Sequence, residues 1–171
     1  PMLWNSIASG KRADRHGILG FTEVSPNGDV RPVTSTSRKV KALWNILSQS
    51  GFRTNVVGWF GGHPAEPING ACVSDMFPHA TAPPGDPWPL LPGTVYPDRL
   101  TGPVGDLRVR PDEINGEMLQ MFVPRAAEID QDKDRRLAAV AKLLAECFSL
   151  HAAATYLLEH EPWDFSAVYY P

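Results

Sequence analysis

The sequence predicts an α/β fold, because a helix, a stop and a buried strand follow one another twice. Residues 37–50 carry Val40, Leu43, Trp44 and Leu47 at i, i+3, i+4 and i+7, the spacing of one helix face. Gly51 supplies a C-terminal stop. Asn55-Val-Val-Gly-Trp-Phe60 then reads as a short buried strand, rich in β-branched and aromatic residues. The second grouping begins at residues 132–160, the longest periodic segment. Leu137, Val140, Leu144, Cys147, Phe148, His151, Thr155 and Leu158 mark its expected inner face. Pro162 ends it, and Phe165-Ser-Ala-Val-Tyr-Tyr170 reads as a second buried strand. The first grouping, helix, glycine and buried strand in that order, reads as the second half of a βαβ unit.

The remaining elements follow in chain order. Proline is at home at the first position of a helix, where its missing N–H costs nothing. Pro1 with Met2, Leu3, Trp4, Ile7 and Ala8 therefore predicts a partly buried helix over residues 1–10. Residues 11–20 read as a connecting loop. Ser25-Pro-Asn-Gly-Asp29 is a turn by its chemistry, and Phe21-Thr22 and Val30 on either side predict a short hairpin. Between residues 61 and 111 the texture changes, with eleven of the 17 prolines between His63 and Pro111. That density argues against long helices and central strands. Trp88, Leu90, Leu91, Val95 and Tyr96 make the stretch too apolar for a disordered linker, so it reads as an ordered insertion or cap over one end of the sheet. Pro111, with Asp112 and Glu113 after it, opens a short helix.

Composition bounds the function. The 171 residues suffice for one domain with a core, and 43% hydrophobic with 20% charged residues is ordinary globular usage. A net charge of -3 without a basic run gives no footprint for a nucleic-acid polymer or an anionic lipid surface. No apolar run reads as membrane-spanning. Cys72, read as a loop thiol, and Cys147, read as a helix residue, make no disulfide framework, which favours a reducing compartment such as the cytoplasm.

Several constellations invite a chemical reading. Glu128-Ile-Asp130-Gln-Asp132-Lys-Asp134 imitates the start of a calcium loop, but Arg135 and Ala141 stand where such a loop needs Gly and Glu. A solvated helix start is the better reading. Gly58-Trp-Phe-Gly61-Gly62 lacks the Gly-Lys-Ser/Thr of a nucleotide-binding loop. Ligands of α/β folds gather at the carboxyl ends of strands, which would place His63, Glu66 and Asn69 at the rim of a site. Among the histidines, His151 reads as a core residue, and His79 and His160 as exposed. His16 is either a site residue or a hydrogen-bonded loop anchor. No pair has zinc-site spacing.

The segment from Pro1 to Gly10, with Ser9-Gly10 and His16-Gly17-Ile18, resembles the stretch after the nucleophile in the type I phosphodiesterase/nucleotide pyrophosphatase family of the alkaline phosphatase superfamily. Trp59, Pro64-Ala-Glu66-Pro67 and Val73-Ser74-Asp75 resemble a stretch of its bacterial members, and the likeness covers nearly the whole chain. It implies a partial alkaline-phosphatase-like core with a Pro-rich cap. It also implies a Ser or Thr nucleophile directly before Pro1, at a helix N-terminus that favours a phosphoryl group. The reaction implied is phosphoryl transfer on a small-molecule phosphoester. Two divalent metal ions, zinc in the usual case, would be held by an Asp before the nucleophile and by Asp and His residues after Pro171. The 171 residues would then be an internal fragment, inactive alone, holding no catalytic or metal-ligating residue of their own. The substrate-pocket candidates are Trp4, His16, His63 and Glu66. Leu3 departs from the Asn that nucleotide pyrophosphatases carry three residues after the nucleophile to hold the phosphate, so the resemblance does not extend to nucleotide specificity. A sulfatase or phosphonate-hydrolase branch, and a non-catalytic binding or scaffold domain on the same fold, are the alternative readings.

Overall fold

A computed structural model describes residues 1–79, 82, 83 and 85–171; Ala80, Thr81 and Pro84, a proline of the expected insertion, lie outside the described residues. Helix α1 (Met2–Ser9) starts one position later than expected, with Pro1 outside it accepting the Asn5 N–H at 3.0 Å. Gly10, at φ 65°, ends it in the left-handed conformation that glycine adopts without strain. Its buried face is Asn5 and Ala8, whereas Met2, Leu3 and Ile7 stay exposed. A one-turn helix α2 (Ala13–His16) occupies the expected loop. The predicted hairpin is present as β1 (Thr22–Val24) and β2 (Val30–Pro32), antiparallel, with Ser25 N–H donating to Asp29 O across the turn at 2.8 Å.

Helix α3 (Leu43–Gln49) is half the length predicted. Its start is set by polar bonds rather than periodicity. Asn45 Oδ1 takes the Ala42 N–H at 2.8 Å, an N-terminal cap provided from inside the helix. Arg38 is extended and reaches inward, so residues 38–42 never enter the helix. Strand β3 (Thr54–Trp59) follows as predicted.

The proline-rich stretch holds a surprise in β4 (Gly70–Ser74), which lies inside the sheet. Proline density argued against a central strand there, but the prolines stop at Pro67 and resume at Pro78, leaving room for five residues of ladder. Cys72 is consequently a buried strand residue rather than a loop thiol, and burial pushes its thiol up to about 12. After β4 come β5 (Val95–Tyr96) and α4 (Thr101–Gly105). Pro111–Glu113 makes only a 3-10 turn, and the short helix α5 (Gly116–Phe122) begins later, where Asn115 Oδ1 accepts the Met118 N–H at 2.9 Å. Helix α6 (Arg136–His160) and strand β6 (Phe165–Val168) complete the chain.

The sheet runs β5–β4–β3–β6, with β4 and β6 parallel to β3 and β5 antiparallel to β4. This is an α/β fold with a mixed sheet. Val56 and Cys72 face α1 and α3, packing with Ala8, Ala42, Trp44 and Ile68. Val57, Ala71 and Val73 face α6, packing with Leu150, Ala153, Ala154 and Leu157. Alternate residues of a strand thus serve two helical layers. The α6 face differs from expectation. Its buried stripe is Leu137, Ala141, Ala145, Ser149, Ala153 and Leu157, whereas His151, Thr155 and Leu158 are exposed. Small residues let the helix lie close to its neighbours, and a periodicity counted on large side chains looks past them. By length and composition alone α6 could cross a membrane; here it packs on the sheet.

The two faces of α6 give a direct test. Leu157→Ala should cost about 2–5 kcal/mol, as for a fully buried leucine, and Leu158→Ala less than about 1 kcal/mol. Urea denaturation of the two variants measures both.

Candidate site at the carboxyl ends of the parallel strands

The parallel strands β3, β4 and β6 end on the same side, and the residues that follow them turn around a cavity of about 70 Å³. Gly58 and Gly61 turn the chain at the end of β3, at φ 68° and 73°. Gly58 has a second reason to be glycine, since a Cβ there would lie 2.7 Å from Tyr169 O and 2.8 Å from Leu150 Cδ2. Close approach of β6 and α6 to the strand end requires that gap. Asp75 directly follows β4, and its Oδ2 accepts the Gly61 N–H at 2.7 Å, joining the two turns. Its other oxygen, Oδ1, is buried without a partner among the described residues. Burial accordingly pushes the Asp75 carboxyl up, against the Gly61 N–H and the histidines His63 and His79, which pull it down. From the other side, Glu146 of α6 meets His79 Nδ1 at 3.2 Å, and Lys142 Nζ stands 3.9 Å from the same carboxylate.

The loop carrying His79 is held by Trp88. Its indole N–H donates to His79 O at 3.1 Å, and the guanidiniums of Arg108 and Arg110 lie 3.8 and 5.3 Å from its ring centroid. Arg108 also donates to Trp88 O, and Arg110 to Pro83 O at 3.1 Å. Stacked guanidiniums of this kind add a cation–π attraction to the hydrogen bonds.

The four sequence candidates do not line this cavity. Trp4 stands beside it, edge-on to Tyr169 at 4.7 Å and to Trp59 at 6.0 Å between centroids. His63 Nδ1 lies 3.1 Å from Ser74 Oγ, one residue before Asp75. His16 is fully buried behind α1. Its Nδ1 accepts the Ile18 N–H at 3.1 Å, and Nε2 lies 2.9 Å from Ser6 Oγ, whose proton goes to Met2 O. That network fits a neutral ring carrying its proton on Nε2. Glu66 is the acceptor of a polar cluster: Arg38 Nη2 reaches its two oxygens at 2.6 and 2.8 Å, Trp44 Nε1 at 3.1 Å and Asn45 Nδ2 at 2.9 Å. Asn69 holds the loop before β3 through Gly51 O and Phe52 O, both at 3.1 Å. His151, expected in the core, is exposed and shares a 2.9 Å hydrogen bond with Tyr170 Oη. Asp75 stood within a quoted motif, but Phe60, His79, Glu146 and Tyr169 were invisible as a group. They come from four separate segments.

A sequence model of the type I phosphodiesterase / nucleotide pyrophosphatase family matches residues 1–171. The chain belongs to that family. No curated protein and no solved structure matches it. The family acts on small phosphoester substrates and is generally metal-dependent. The side chains here do not themselves fit a metal centre: among the described residues no three His, Cys, Asp or Glu converge to hold an ion. In the calcium-like stretch, Asp130 is bound to Lys133 at 2.8 Å, and Arg136 holds the Asp134 carboxyl down at about 2. Asp134 Oδ1 also accepts the Arg136 N–H at 3.0 Å, at the first residue of α6.

Two outcomes test the rim. Gly58→Ala should cost about 2–4 kcal/mol, through a positive φ and an overpacked contact together, and lower the urea midpoint accordingly. His16 is held below its usual value of 6.5, chiefly by burial, so the unfolded chain takes a proton that the folded chain refuses. Stability should therefore fall as pH drops below about 6.5. Its imidazole NMR midpoint should lie under that value; a midpoint at or above it would contradict the buried neutral ring.

Proposed function

We propose that this chain forms part of a metal-dependent phosphodiesterase, in which a Ser or Thr directly before Pro1 attacks phosphorus. Two observations support the reading. The family match spans residues 1–171. The first turn of α1 meets the carboxyl ends of β3 and β6 through Trp4, Trp59 and Tyr169. That juxtaposition carries the proposal: a helix N-terminus, with its free N–H groups and positive dipole end, sits beside the strand ends where α/β folds bind ligands.

In this reading the sheet is the partial alkaline-phosphatase-like core, and residues 61–111, beyond the strands they contribute, serve as a cap over its carboxyl end. Pro78 and His79 on the cavity wall, and the Trp88 clamp behind them, support the cap. Trp4 and His63 position the rim, through Tyr169 and Ser74 respectively, while His16 and Glu66 hold the helices that carry it. The metals, zinc in the usual family case, would supply activation of the hydroxyl; this chain's own residues orient the helix and shelter the substrate.

The test is hydrolysis of a generic aryl phosphodiester with and without added zinc. Residues 1–171 alone should show no turnover. A longer chain that includes the residue before Pro1 and the Asp and His residues after Pro171 should be active, and replacing that Ser or Thr by Ala should lower kcat at least about 10³-fold. Turnover by residues 1–171 alone, or an inert longer chain with every ligand in place, would overturn the proposal.

A further inference from the structure

Residues 61–111 carry two positive charges that no acid offsets. Arg108 and Arg110 both reach the indole of Trp88, their guanidiniums 3.8 and 5.3 Å from its ring centroid. No ion pair among the described residues includes either arginine. The three residues outside that description, Ala80, Thr81 and Pro84, are uncharged types. Glu113 is near in sequence, but its Oε2 accepts the Arg110 main-chain N–H rather than the guanidinium. Burial and then the Arg110 charge hold the Arg108 guanidinium below its ordinary value, against the pull of Asp106. A charge drawn from water without a counter-ion is unfavourable.

The pair is held in place before any ligand arrives. Val109, between the two arginines, donates its N–H to Ser149 Oγ at 2.9 Å, which ties the segment to α6. Arg108 Nε donates to Gly105 O at 3.3 Å and its Nη2 to Trp88 O. Arg110 Nη1 donates to Pro83 O at 3.1 Å and its Nη2 to Asp86 O. All four acceptors are neutral carbonyls, so they orient the guanidiniums and cancel no charge. Arg108 Nη1 and Arg110 Nε keep N–H groups without an acceptor among the described residues. Neither atom is sealed from solvent, unlike Trp59 Nε1 and Asp75 Oδ1.

We propose that Arg108 and Arg110, seated on Trp88, bind a phosphate-type dianion through Arg108 Nη1 and Arg110 Nε. Planar guanidiniums suit phosphate oxygens, and the charge-assisted bonds they make are strong. Two cations match the charge of a phosphomonoester, about -1.5 to -2 at pH 7. A phosphodiester carries one charge and is matched less well. The anion is therefore a group other than the ester to be cleaved, either a terminal phosphate on a larger molecule or free inorganic phosphate. The Trp88 indole N–H holds His79 O at 3.1 Å, which places the pair behind the loop at the strand ends. The site goes beyond the phosphodiesterase reading, and its occupancy is read without hydrolysis, so either can fail alone.

The experiment titrates the metal-free protein with methyl phosphate and with inorganic phosphate, at neutral pH and constant ionic strength. Proton–nitrogen NMR follows the Nε–H signals of Arg108 and Arg110 and the indole N–H of Trp88. Saturable shifts of all three are expected, and chloride should give none. Dimethyl phosphate, a monoanion, should bind about tenfold more weakly. Arg110→Gln should weaken phosphate binding about tenfold, and Arg110→Lys should restore part of it by keeping the charge without the fork. Equal affinities for methyl and inorganic phosphate place the anion on a larger molecule; exclusion of methyl phosphate alone assigns the site to the free ion. Unsaturable shifts with both, equal affinity for dimethyl phosphate, or undiminished binding by Arg110→Gln would overturn the proposal. Should Arg110→Gln fail to fold, the comparison of the dianions with dimethyl phosphate on the unaltered protein decides.

Discussion

The carboxylate of Glu66 is the interaction on which one helical layer depends. It gathers Arg38, Trp44 and Asn45 from the segment leading into and through α3, and Arg38 in turn reaches Asn5 Oδ1 of α1 at 3.4 Å. The Arg38 side chain is only 3% exposed, so its charge has left water almost entirely. Such a pair is stable as a set and costly to break in half, because the surviving partner is left buried and uncompensated. The constraint explains the shape around it. Arg38 is extended so that its guanidinium can turn inward, and α3 begins only where Asn45 has capped it.

The opposite layer is held differently. Along α6, Ala141, Ala145, Ser149 and Ala153 recur every four residues on the buried side, and Ser149 adds a polar tie by accepting the Val109 N–H at 2.9 Å. Close approach there brings Leu150 against Gly58 and presents Glu146 to the strand ends. The packing of a helix thus sets the wall of a cavity. The turn after β3, the turn after β4 and the Tyr169 backbone meet there because Gly58 has no side chain to keep them apart.

Much of this architecture could be read from the residues. The helix–strand pairs ending at Phe60 and Tyr170 announced themselves by apolar runs bounded by glycine and proline, and the hairpin by Pro-Asn-Gly. What escaped has physical causes. The inner face of α6 was hidden because alanine and serine contribute little to an apolar count, though they decide how near two elements come. Strand β4 was hidden because its five residues sit between prolines whose influence ends sooner than their number suggests. The contacts of Glu66 were hidden because nothing in Pro64-Ala-Glu66-Pro67 reveals an arginine 28 residues upstream. The cavity was unreadable for the same reason: its wall is assembled from β3, β4, α6 and β6 by the fold itself.

The indoles of Trp4, Trp44 and Trp59 have an optical consequence. Trp59 stands 6.0 Å from Trp4 and 5.3 Å from Trp44, both edge-on, where α1, α3 and β3 converge. Chromophores so near one another couple their excitations, so a change at this one junction should register in the near-ultraviolet dichroism of the protein. The chain carries its own spectroscopic gauge of how tightly its first helix sits on the sheet.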